Sequence, residues 1–296
     1  MPCIYEASAP AKVILFGEHA VVYGEPAIAV PLSGIRTRVR MEPNESGFAI
    51  QSDAGGDPDL SGARQLIGSF REDFGIGEMP SETLRISSQI PIASGLGSGA
   101  ALSCAVTKCL MKRFGISLST EDINARVYEI EKLYHGTPSG IDNTVICYEQ
   151  PLFFIKNRES RIFSADIHAL PLLVIDSGIR SRTVDAVSDV RAHFDQNEGL
   201  IRQIGALVRE AESAMLAEDA EKIGTLMNEN QRLLRGIDVS CDLIDECIAD
   251  ALRNGACGAK LTGAGRGGNF IVLAKDAENA ESLRALFRKK GLNVIL

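Results

Sequence analysis

The apolar positions in the early part of the chain recur at a spacing of two, the mark of half-buried strands. Tyr5 to Phe16 reads as strand material, with Val13 and Leu15 alternating around Ile14, and Ala9-Pro10-Ala11 is expected to interrupt it. Gly17 to Gly24, bracketed by glycines, is too short for a helix. Ala27 to Pro31 and Ile35 to Met41 read as two further strands, the second alternating with Arg36, Arg38 and Arg40. A turn-rich patch, Ser52 to Pro58, precedes a helix over Leu60 to Phe74. Thr83 to Ile90 returns to strand, and Leu102, Val106 and Leu110 share one side of a helix ending near Gly115.

The period then lengthens to that of helices. Ser119 followed by Asp122 is a capping-box-like start, and Ile123, Val127, Ile130 and Tyr134 form the buried stripe of the helix it opens. Glu131 lies beside that stripe with His135 directly above it, so the helix delivers a carboxylate to the loop from His135 to Asn143. Short strands are predicted at Val145 to Tyr148, Leu152 to Ile155 and Leu172 to Asp176. Helices follow over Thr183 to Phe194, Glu198 to Leu216, Ala220 to Leu234 and Cys241 to Leu252, with Gly255 closing the last. Strands Cys257 to Leu261 and Asn269 to Leu273, a helix Glu278 to Lys289 and a strand Leu292 to Ile295 complete the pattern. The change from strand-rich to helix-rich places a domain boundary near residues 164–171.

Two glycine-rich turns punctuate this pattern. The first is Pro91-Ile92-Ala93-Ser94-Gly95-Leu96-Gly97-Ser98-Gly99-Ala100-Ala101, between a strand and a helix. Such a turn offers unpaired backbone N–H groups and the positive end of a helix dipole, which suits phosphate. The same stretch reads alternatively as a glycine cluster packed for structural reasons alone. It is no membrane span, because Gln89, Pro91 and the serines and glycines between Ile86 and Thr107 make a poor one. No Gly-Lys-Ser/Thr P-loop occurs, and the fragment Gly95-x-Gly97-x-x-Ala100 lacks the returning acidic strand of a dinucleotide site. The second turn, Thr262 to Gly268, joins two strands and is read as a hairpin that lets another backbone or a ligand come close.

Composition narrows the classes. The 296 residues suffice for two domains, and 45% hydrophobic with 24% charged residues is ordinary for a globular protein. A net charge of −8, few aromatics and no Trp argue against a nucleic-acid surface. Seven scattered cysteines form no Cys-x-x-Cys pair, which leaves a zinc site without support and suits a reducing compartment. No signal peptide is recognised, since the apolar run after Lys12 stops at Phe16, and a cytoplasmic protein is expected.

Phosphoryl transfer needs phosphate donors, a divalent metal, a compensating positive charge and a group that aligns or deprotonates the acceptor. The first glycine turn, Glu131 with Ser98, Lys12 and Asp142 are candidates for these four parts. Spacing alone does not bring them together, and a surface lysine, a surface glutamate and an Asx-turn aspartate remain the plain readings.

Three segments together resemble the signature motifs of the GHMP kinases, the family that includes kinases of galactose, homoserine, mevalonate and phosphomevalonate. They are Ala9 to Gly24, with Phe16-Gly17-Glu18-His19-Ala20-Val21-Val22-Tyr23-Gly24 at its end, Pro91 to Ala101, and Lys260 to Gly268. Within the family the first of these has the form found in kinases of mevalonate. The resemblance implies an α+β, two-domain fold: an N-terminal ATP-binding domain (1–168) with a left-handed βαβ crossover and a ferredoxin-like C-terminal domain (169–296). It places the active site between them.

The resemblance also implies roles. Asp142 matches the catalytic aspartate that takes the proton from the acceptor hydroxyl, and Lys12 the lysine that balances charge in the transition state. Pro91 to Ala101 matches the ATP-binding turn, and Glu131 and Ser98 match the Mg²⁺ ligands. The family's second serine is Gly99 here, so the serine half of that metal site falls to Ser98 or to water. Glu18 and His19 match the substrate pocket, and Thr183, after the strand ending at Asp176, is a further candidate for substrate contact. The implied reaction is ATP-dependent phosphorylation of (R)-mevalonate at its 5-hydroxyl in isoprenoid precursor synthesis, with mevalonate and ATP as the small-molecule partners and a homodimer as a further expectation. A phosphomevalonate kinase is the alternative within the family. A nucleotide-binding regulator without catalysis is the alternative outside it, for which Gly99 is the hint.

Overall fold

Tyr5–Phe16 form one unbroken strand, β1, followed by a single 3-10 turn at Ala20–Tyr23. Pro10 does not interrupt β1, whose partner among the described residues is β2. A proline is tolerated where the ladder does not need its missing N–H. The two strands expected from Ala27 to Met41 are likewise one, β2 (Ala27–Pro43). It bonds β5 over 27–29 and β4 over 37–43, and it also pairs with β1, so the turn-like letters 31–34 stay within one continuous strand. The structure, a computed structural model, describes residues 3–53, 60–92, 94–135, 138–158, 160–162, 170–180 and 183–296.

The remaining strands are β3 (Ala49–Ser52), β4 (Glu82–Ser88), β5 (Leu152–Phe154), β6 (Arg161–Ile162), β7 (Leu172–Asp176), β8 (Gly258–Thr262), β9 (Asn269–Leu273) and β10 (Asn293–Val294). The helices are α1 (Ser61–Asp73), α2 (Ser98–Phe114), α3 (Thr120–His135), α4 (Ile141–Tyr148), α5 (Thr183–Ala192), α6 (Phe194–Leu216), α7 (Ala220–Gly236), α8 (Asp242–Arg253) and α9 (Ala277–Lys289). Val145 to Tyr148, expected as strand, belongs to α4, so Asp142 stands in the first turn of a helix rather than on a loop. A short buried apolar run does not by itself distinguish the two. None of the described helices is long and apolar enough to cross a membrane.

The chain divides into two compact units. The first comprises Met1–Lys12, Pro31–Ile92 and Gly97–Glu149; the second comprises Val13–Val30, Ala93–Leu96 and Gln150–Leu296. The boundary expected at 168/169 lies outside the described residues.

In the first unit β4 pairs antiparallel with Thr37–Pro43 of β2 and parallel with β3. The parallel pair is joined through α1, a βαβ connection. Buried small residues of α2, among them Ala101, Cys104, Ala105 and Val106, let α1, α3 and α4 pack around it. The capping box is in place: Ser119 Oγ accepts from Asp122 N at 3.1 Å, and Asp122 Oδ2 accepts from Ser119 N at 3.2 Å.

In the second unit four antiparallel strands run in the order β10-β7-β9-β8. With helices joining β7 to β8 and α9 joining β9 to β10, this is a ferredoxin-like sheet. β8 lies at its edge, and side chains of α7 take the bonds that another strand would make. Asn228 accepts from Ala259 N at 3.0 Å and donates to Cys257 O at 3.2 Å, while Gln231 Oε1 accepts from Leu261 N at 2.9 Å.

Candidate active site

In the first unit, Lys12 stands within the fully buried run 9–16 of β1, with its ammonium 2.8 Å from Asp142 Oδ1. The lysine side chain is 2% exposed and that of the aspartate 29%, so the pair has one dry side and one wet side. Gly140, at φ 92, caps α4, and its carbonyl accepts from Thr144 N at 3.3 Å and Thr144 Oγ1 at 2.6 Å. That closed turn sets the Asp142 carboxylate at the positive end of the helix.

Glu131 of α3 belongs to the same cluster. It is buried, and burial, then the negative charge of Asp142, push its pKa up to about 8 against the opposing pull of Lys12. The first glycine turn also reaches this point. Gly97 precedes α2 at φ 76, and a methyl on it would lie 2.7 Å from Ile146 Cδ1 and 3.1 Å from Lys12 Cγ. Only glycine meets both the left-handed backbone and the lack of room. The N-terminus of α2, whose N-cap glycine has no side chain to cap it, therefore begins on the aliphatic stem of Lys12. Ser98 and Gly99 are its first two residues and both are half-buried, while Ala100 and Ala101 are buried. Pro91 is half-buried and Ile92 exposed in this unit.

The second unit holds the other part of the turn. Ala93 lies outside the described residues. The Ser94 carbonyl accepts from Asn269 Nδ2, a methyl on Gly268 would lie 3.1 Å from that carbonyl, and one on Gly263 would lie 3.6 Å from Gly95 Cα. The two glycine loops thus pack backbone to backbone here, as the hairpin reading expects, and Leu96 is fully buried beside them. Segment 14–19 is tied to segment 260–264 as well. Thr262 Oγ1 donates to Ile14 O at 2.9 Å and accepts from Ile14 N at 3.1 Å.

Glu18 is fully buried and its carboxylate pairs with Lys260. His19 is 5% exposed, and its Nε2 donates to Ala264 O at 2.9 Å. Burial is the main cause that lowers the His19 pKa to about 4, with the positive charge of Arg266 adding to it. Thr183 heads α5, and its side chain lies outside the described residues.

The structure therefore brings Lys12, Asp142, Glu131, Gly97 and Ser98 into one unit, and Glu18, His19, Ser94 and Gly95 into the other. Sequence reasoning missed Lys260. Its signal was a lone charge inside the apolar strand pattern from Cys257 to Leu261, where a buried lysine requires a partner.

The GHMP kinases N terminal domain family matches residues 63–150 and the GHMP kinases C terminal family matches residues 211–292. Over 96% of its length the chain is 36% identical to mevalonate kinase of Pyrococcus abyssi, covering 93% of that protein. The chain belongs to the GHMP kinase family. Among solved GHMP kinases, mevalonate kinase of Methanococcus jannaschii superposes with a TM-score of 0.87 at 26% identity, over 99% of this chain and 97% of that one. Mevalonate kinase of L. major, solved in complex with R-mevalonate, gives a TM-score of 0.83 at 28% identity, over 99% of this chain and 95% of that one.

Proposed function

We propose that this GHMP kinase transfers the γ-phosphoryl group of ATP to the 5-hydroxyl of mevalonate. The observation that carries the proposal is the Lys12–Asp142 pair, 2.8 Å apart, at the foot of a glycine turn that opens α2. The similarity to mevalonate kinases over most of the chain supports mevalonate as the acceptor. Asp142 accepts the proton of the attacking hydroxyl through its half-exposed side. Lys12, held rigid by burial, supplies a fixed positive charge where negative charge develops, without the reorganisation water would require. The uncapped N-terminus of α2 and the glycine backbone from Pro91 to Ala101 hold the phosphates.

The residues present fit Mg²⁺. Glu131 is buried beside Asp142, and burial and that neighbour hold its carboxyl near a pKa of about 8, so a divalent cation beside it would displace the proton and supply the positive charge the carboxylate lacks. Glu131 and Ser98 would hold the ion, which binds through one or two carboxylates together with substrate phosphates and water. When bound, Mg²⁺ neutralises charge on the phosphate oxygens. Gly99 leaves the second serine position to water. On the acceptor side Glu18, His19 and Thr183 contact mevalonate. Seven free thiols suit a reducing cytoplasm.

A coupled ADP-release assay with ATP, Mg²⁺ and a panel of acceptors tests the proposal. Turnover is expected with mevalonate and not with 5-phosphomevalonate, homoserine or galactose. Turnover with another acceptor alone overturns the substrate, and ATP binding without turnover on any acceptor overturns the kinase reading.

A further inference from the structure

Three cross-links join segment 14–19 to segment 260–264 in the second unit: Ile14 with Thr262, Glu18 with Lys260, and His19 with Ala264. The first and last are neutral hydrogen bonds. The middle one takes two full charges out of water, with both side chains 0% exposed. Desolvation of such a pair rivals its Coulomb attraction, and apolar residues of similar volume are often as stable or more so. Fold stability alone is therefore a weak reason for its presence.

Its neighbours suggest a stronger one. Lys260 Nζ also donates to Leu261 O at 2.7 Å, which ties the ammonium to its own strand and makes it a fixed post. Glu18 is braced on that post, and the next residue, His19, has φ 59 and ψ −46. A backbone in so sparsely populated a region at a non-glycine residue costs on the order of 1–3 kcal/mol and persists only where its surroundings over-determine it. The Glu18 carboxylate on Lys260 and the His19 ring on Ala264 O are two such constraints, one on each side of the strained bond.

We propose that Lys260 is a positioning residue for the phosphoryl acceptor: by bracing Glu18 it holds His19 in the γ-turn, closed by Ala20 N donating to Glu18 O at 2.7 Å, that sets its ring beside the third glycine motif. This deepens the functional reading and rests on His19 being an acceptor contact. It also moves Glu18 from substrate contact to support.

Lys260→Met alone leaves Glu18 buried without its counter-ion and can prevent folding, so the deciding variant is Glu18→Leu/Lys260→Met, which removes both charges. It is expected to unfold cooperatively with a Tm equal to or above that of the parent. KM for mevalonate should rise about tenfold or more, as misplaced binding groups do, while KM for ATP stays within about twofold. NMR of the His19 ring, assigned with His19→Gln, should show its titration midpoint rising from about 4 towards the ordinary 6.5, because the ring leaves its buried place. Arg266, the charge that bears on the ring, is the same in parent and variant. A folded double variant with the parental mevalonate KM and the parental His19 titration overturns the proposal. If the parent does not phosphorylate mevalonate, the functional reading falls separately, and the His19 titration still decides whether Lys260 positions the ring.

Discussion

Lys12 and Lys260 are equally withdrawn from solvent, at 2% and 0% exposure, and each forms an ion pair with a carboxylate. The acids differ. Asp142 is 29% exposed in the first turn of α4, whereas Glu18 is 0% exposed behind a residue in a strained turn. A carboxylate with a wet side can meet a substrate and exchange a proton with it. A carboxylate with none can only hold its partner in place. On the proposed reading the same two functional groups serve chemistry in one unit and architecture in the other, and the burial of the acid decides which.

Substitutions should separate the two pairs. The largest effect is expected from Asp142→Asn, which keeps the shape and removes the base: kcat should fall by about two to four orders of magnitude while ATP binding, measured by fluorescence titration, persists. Unchanged turnover would remove Asp142 from its role. Next comes a paired comparison of Lys12→Met with Lys260→Met by urea unfolding and steady-state kinetics. Lys260→Met strands a buried carboxylate and should lose about 3–5 kcal/mol of stability. Lys12→Met leaves a carboxylate that water can reach, so it should stay folded and lose kcat by about a hundredfold or more, with little change in ATP affinity. Similar stability losses in both would erase the distinction drawn between the pairs.

The smallest effect concerns His19. Its folded-state pKa of about 4 lies below the unfolded value of 6.5, so the unfolded chain binds the proton more tightly. Stability should therefore be unaffected by His19 above pH 6.5 and decline as pH falls from 6.5 to 4, by on the order of 3 kcal/mol in all. His19→Gln should flatten that part of the urea-unfolding profile. A parental slope retained in the variant would assign the titration to other groups.

Much of this was legible in the sequence because it is local. The strand ends of β9, the helix α2 with Gly115 after it, and the Ser119–Asp122 box follow from spacing and capping chemistry that tertiary packing leaves alone. β3 and β6 were missed because their six residues, three half-exposed and three exposed, carry no alternating pattern. α4 was missed because its apolar run is too short to show a period. The candidate site was legible only as separate letters. Lys12, Glu131 and Asp142 are brought together by the packing of α3 and α4 and by the close seat of Gly97 on Lys12, and no spacing rule contains those contacts. Lys260 shows the same limit from the other side, since its partner lies 242 residues earlier in the chain.

The amide side chains of α7 that engage β8 have a bearing on solubility. An open strand edge invites a strand from another molecule, and intermolecular sheets begin there. With Asn228 and Gln231 occupying the backbone groups of Cys257, Ala259 and Leu261, that border of the ferredoxin-like sheet is closed to newcomers. The opposite border is β10, only 2 residues long, too little for a foreign strand to grip. Replacing Asn228 and Gln231 together by leucine would keep the helix and reopen the border, and the damage would surface first in test tubes that turn cloudy.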